Sequence, residues 1–102
     1  MAVSKQIRIR RRMPGVPKDI AALARKAQHA CVQADPLAWR IVAELARRGW
    51  VIRPGGGSTR KGRYFAVLEA NPSDAAETAR LFPGRQMSPH EIEVIINSDG
   101  GA

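Results

Sequence analysis

Apolar residues along this chain follow two rhythms, one with helical spacing and one with the alternation of a strand. The clearest helical stretch opens at Asp35-Pro36, an N-cap carboxylate with a first-turn proline, and closes at Gly49, where a left-handed residue is wanted. Within it Leu37, Ile41 and Leu45 stand four apart with Ala38 and Val42 beside them, while Arg40, Glu44, Arg47 and Arg48 take the opposite face. One side packs and the other meets water or a charged partner. Arg47 and Arg48 suit the negative end of the helix dipole, and Glu44 is placed to pair with Arg40 and Arg48. An earlier helix follows Pro14-Gly15-Val16-Pro17, carries Ile20, Leu23, Ala24, Ala27 and Cys31 at three-to-four spacing, and ends near Gln33. Its alanine-rich stripe permits close packing but buries little area alone.

Alternation appears in Gln6-Ile7-Arg8-Ile9-Arg10, which reads as an edge strand with its arginines outward. Trp50-Val51-Ile52-Arg53 and the run from Arg63 to Glu69 are β-branched and aromatic, so they form a hairpin around the glycine-rich, basic residues 54–62. Asn71-Pro72-Ser73-Asp74 repeats the cap, first-turn proline and third-position acid pattern, starting a short helix that Pro83-Gly84 stops. The last segment carries two signals in conflict. Ser88-Pro89-His90-Glu91 has the form of a capping box, whereas Ile92, Val94, Ile95 and Ile96 favour a strand, and the alternation of Glu91 to Val94 tips the prediction to a strand. The order is then β-α-α-β-β-α-β, an α+β domain with a small mixed or antiparallel sheet. Residues 1–16 form a basic arm or edge strand, 17–84 the core, and 85–102 an acidic tail.

A chain of 102 residues makes one domain, which buries roughly 60–65 % of its unfolded surface without needing disulfides. The net charge of +8 arises from 17 basic and 9 acidic residues, most of the basic ones arginine, a preference that suits bidentate contact with carboxylate or phosphate. Lys5, Arg8, Arg10, Arg11, Arg12 and Lys18 fall in the first eighteen residues with no acid among them, while Glu91, Glu93 and Asp99 occupy the tail without a base after Arg85. Candidate contacts to a phosphate or acidic surface are Arg8, Arg10, Arg11 and Arg12 on the arm, Arg60, Lys61 and Arg63 on the hairpin tip, and Arg47 and Arg48 on the central helix.

The single cysteine, Cys31, forms no internal disulfide, points to a reducing compartment, and is expected to pack as a small apolar side chain. No apolar run approaches membrane-spanning length and no signal-peptide core is evident, so neither a membrane nor that export route is expected. His29 and Cys31 are two apart, on different faces of a helix, which disfavours a shared metal. No nucleophile, base and orienting group stand in a motif, and Gly57-Ser58-Thr59-Arg60-Lys61-Gly62 lacks the order of a phosphate loop. No enzyme activity, cofactor or metal is expected.

From Val32 onward the chain resembles small head–tail junction proteins of tailed phages, the neck or tail-completion class of actinobacteriophage type. The run Val32-Gln33-Ala34-Asp35 into an alanine- and arginine-rich helix carries the resemblance, with the basic turn at Thr59-Arg60-Lys61-Gly62-Arg63 and the strand entering Asn71-Pro72-Ser73-Asp74. It implies a non-enzymatic virion protein, found in the particle or the host cytoplasm, whose partners are other virion proteins and its own copies in a ring. Head-to-tail contacts need two complementary patches, and the basic start and the acidic Glu91 and Glu93 supply them. Residues 37–82 are also similar to small HicA-type toxin ribonucleases with a double-stranded-RNA-binding fold. The histidine expected in the turn is replaced by Ser58-Thr59-Arg60-Lys61, so this likeness implies RNA binding without cleavage. The alternative to an assembly protein is therefore a small basic nucleic-acid-binding protein.

Overall fold

The alternation at the start of the chain yields strand β1 (Gln6–Arg8), which turns Ile7 toward the core and leaves Gln6 and Arg8 exposed. The computed structural model describes residues 5–58, 64–84 and 86–100; Arg60, Lys61 and Arg63 lie outside them. After β1 come helices α1 (Lys18–Val32) and α2 (Leu37–Arg47), strands β2 (Trp50–Ser58) and β3 (Tyr64–Ala70), and helices α3 (Pro72–Leu81) and α4 (Pro89–Gly100). The fold is α+β, with an antiparallel sheet in the order β1-β3-β2.

Register fixes what each sheet face does. Ile7, Leu68 and Ile52 lie side by side across the three strands on the face that meets the main core, and Arg8, Val67 and Arg53 form the adjacent row on the other face. Pairing continues past β1, because Ile9 N–H donates to the Ala66 carbonyl at 3.0 Å. The glycine-rich segment, expected as loop from residue 54, stays in β2 as far as Ser58, with the register shifting between Pro54 and Ser58. A shift there suits residues that lack side chains to hold a fixed pleat.

Alanine makes the helical layer. Ala24 and Ala27 of α1 are fully buried with Leu23, and α2 lies against α1 through Ile41 and Leu45, which are also fully buried. Gln33–Asp35 turns the chain between these helices: Ala34 N–H donates to the Cys31 carbonyl and Asp35 N–H to the Ala30 carbonyl, a Schellman closure. Ala34 occupies its left-handed position at φ 53°. Asp35 Oδ1 then accepts from Leu37 N–H at 2.9 Å, the capping role its sequence position predicts. At the far end of α2, Gly49 adopts φ 91° and hands the chain to β2.

Two expectations differ from the structure. Residues 89–97 are helical: Ser88 Oγ accepts from Glu91 N–H at 3.2 Å and Glu91 Oε1 accepts from Ser88 N–H at 3.1 Å, closing the capping box. Two reciprocal bonds at the terminus outweigh β-branched composition, since Ile92 and Ile95, three apart, reach the core while Val94 faces out. Cys31 is exposed, because the buried stripe of α1 passes through Ala27 and Ala30 instead. Trp39 is also largely in solvent, its ring stacked on Phe82 at 5.7 Å between centroids.

Two denaturation measurements test this packing. Leu45→Ala removes a side chain with no solvent exposure and is expected to lower stability by about 2–4 kcal/mol. Ala34→Gly relieves a left-handed alanine and is expected to raise stability by up to about 1 kcal/mol, the gain in strain exceeding the entropy cost of glycine. A loss of stability in Ala34→Gly would contradict the closure described for α1.

Candidate functional site

The basic arm is held by its main chain and by two apolar side chains, and leaves its arginine side chains outward. Met13-Pro14-Gly15-Val16 forms a turn in which Val16 N–H donates to the Met13 carbonyl at 3.1 Å, with Gly15 at φ 84° in the third place, as a type II turn requires. Ile9 and Met13 anchor the arm in the core. Between those anchors, Arg25 Nη1 of α1 donates to the carbonyls of Arg11 (3.1 Å) and Arg10 (3.4 Å). A guanidinium thus grips the main chain of the arm, and the side chains of Arg10, Arg11 and Arg12 remain exposed. Among the described residues no carboxylate pairs with these three.

The helix and sheet arginines are placed differently. Arg47 donates to Glu44 Oε2 through both Nε (3.1 Å) and Nη2 (2.7 Å), and Arg48 reaches Glu44 Oε1 (3.4 Å) and Asp19 Oδ2 at the start of α1 (2.5 Å). Glu44 therefore pairs with Arg47 and Arg48, while Arg40, its other expected partner, turns to α4. Arg40 Nη2 donates to Glu91 Oε1 at 2.9 Å and to the Gln86 carbonyl at 3.2 Å. Arg53 joins Glu69 of β3 through Nε (2.5 Å) and Asp74 of α3 through Nη2. The bond to buried Glu69, then that to Asp74, raises the Arg53 pKa above its ordinary value. Exposed Arg80 meets Glu77 three residues earlier.

Sequence reasoning identified the arm but missed Arg53 and Glu69, whose signal is positional: on antiparallel strands both project from the same sheet face, two pairs apart in register. Of the two tail acids singled out, Glu91 is engaged by Arg40 and Ser88 within the domain, and Glu93 is exposed. Arg8 is exposed on β1, while Arg60, Lys61 and Arg63 fall outside the described residues.

A groove of about 490 Å³ runs between α1 and α4. Leu37, Met87 and Ile95 give it an apolar floor, and Arg25, Lys26 and His29 line it from α1. Those three lie on one face of that helix, at positions 25, 26 and 29. Across the groove stand His90 and half-exposed Val94 of α4.

Among the described residues no group of three or more histidine, cysteine or acidic side chains is placed to hold a metal, and no helix is long and apolar enough to cross a membrane. In comparisons with known proteins the chain matches no family model, and neither a curated protein nor a solved structure is significantly similar to it.

The Glu91 contacts carry a pH dependence. Its carboxyl titrates below the ordinary value of 4.5 because Ser88 N–H, then Arg40, then the Ser88 hydroxyl favour the charged form. A depressed carboxyl pKa contributes stability that is complete above the ordinary value and is lost as pH falls through the lowered one. Glu91→Gln keeps a capping acceptor and removes the charge. Thermal melts from neutral to acid pH should show the wild type more stable at pH 7, with the difference shrinking only once the pH is below 4.5 and vanishing below the lowered pKa; a difference constant with pH would contradict this.

Proposed function

We propose that this chain is a non-enzymatic assembly protein that docks through its basic arm on an acidic surface of a partner. The observation that carries the reading is the contrast among its arginines. Arg40, Arg47, Arg48, Arg53 and Arg80 each have a carboxylate of the same chain, whereas Arg10, Arg11 and Arg12 extend from an anchored backbone with none among the described residues. Orienting a cluster of bare guanidinium groups without neutralising them is useful to a protein only if the neutralising charge comes from outside.

The setting we favour is the head–tail junction of a tailed phage, with copies of this chain and other virion proteins as partners. In that setting the acidic half of a head-to-tail contact falls to Glu93, since Glu91 is already bonded to Arg40 and Ser88. Nucleic-acid binding is the second reading. The same bare arginines favour it, and they would neutralise phosphates as readily as carboxylates.

One triple variant separates the two. Arg10, Arg11 and Arg12 together changed to alanine should abolish incorporation into particles or stable oligomers, measured by solution mass over a range of concentrations. Under the second reading the wild type instead binds duplex DNA or RNA with a steep salt dependence, about −0.9 in the log–log slope per phosphate neutralised, and the variant flattens it. A wild-type monomer that binds one nucleic-acid site tightly at physiological salt would overturn the assembly reading.

A further inference from the structure

The arm and the groove between α1 and α4 are joined by one residue. Arg25 binds the arm carbonyls of Arg10 and Arg11 and also lines the groove. The basic surface therefore continues from the arm onto α1 at Lys26, with His29 one turn on, and changes character where the groove floor of Leu37, Met87 and Ile95 begins. From this continuity we infer that the groove receives an acidic, amphipathic segment of a partner protein, apolar side chains on the floor and carboxylates toward Lys26 and His29. The inference rests on the docking function proposed above and names the kind of partner that surface takes.

Charge and shape each select this occupant. Among the described residues the one carboxylate lining the groove is that of Glu91, already engaged by Arg40 and Ser88, so Lys26 and His29 on the rim are left to meet acid from the incoming chain. A nucleic acid offers phosphates to the rim but no aliphatic side chains for the floor. Val94, 49 % exposed at the edge, adds an apolar contact that a helix lying along α4 would cover. The groove lining on α4 extends from His90 to Ser98, about 12 Å at the rise of an α-helix, enough for two turns of a docked segment.

The test uses the full chain labelled with 15N and four probes. The first is a synthetic helical peptide with leucines four apart flanked by glutamates; the second has serine for each leucine, the third lysine for each glutamate, and the fourth is a short DNA duplex. The leucine–glutamate peptide should shift amide signals around Lys26 and His29 of α1 and around Val94 of α4. The serine and lysine versions, and a Val94→Glu variant with the first peptide, should each bind more weakly by about tenfold or more. Equal binding of the serine peptide, groove shifts caused by the duplex, or no groove shifts with any peptide would each overturn the inference. A silent groove in a protein whose arm variant still loses its assembly would remove this inference and leave the proposed function standing.

Discussion

Alanines on α1 allow α2 and α4 to pack closely against one helix, and the rest of the structure depends on that approach. Ala24 and Ala27 are fully buried in the core that α1 shares with α2, the sheet and α4, where a larger residue would push its neighbours apart. Small side chains contribute little transfer free energy of their own, so the burial that stabilises the domain comes from the residues they let in: Leu23, Ile41, Leu45 and Leu68. The same approach sets α1 and α4 alongside each other and forms the groove between them. Packing and the candidate docking surface therefore share one cause.

Charge is divided along the same lines. The core has brought Asp19, Glu44, Glu69, Asp74 and Glu91 within reach of arginines from other elements or other turns, tying α1 to α2, β2 to β3 and α3, and α2 to α4. Partly exposed pairs of this kind add little stability individually. Their larger consequence is positional, since they neutralise the arginines of the helices and of β2 and leave Arg10, Arg11 and Arg12 of the arm without a carboxylate among the described residues.

Much of this fold is legible in the sequence, because the signals that set it are local. Asp35, Asn71 and Gly49 sit where their caps are needed, and the order of the first six elements follows from period and composition. In the tail two local signals conflict: a capping box at Ser88 and Glu91 against a run of β-branched residues. The reciprocal bonds decided it, and α4 then bonds to α2 through Arg40, a contact no window of sequence displays. The site divides in the same way. The arm is visible as a run of arginines without acid, whereas the pairing of Arg53 with Glu69 needs strand register and the groove needs the placement of α4 against α1. Neither exists before the chain has folded.

The division between engaged and bare arginines is the centre of this account, and side-chain NMR of 15N-arginine-labelled protein reads it directly. Arg47 and Arg53 donate their Nε–H groups to Glu44 and Glu69, so these resonances should be dispersed and protected from exchange with water. Those of Arg10, Arg11 and Arg12 should coincide with free arginine and exchange fast. Protected, dispersed signals from the arm in the isolated protein, or free-arginine behaviour at Arg47 and Arg53, would contradict it.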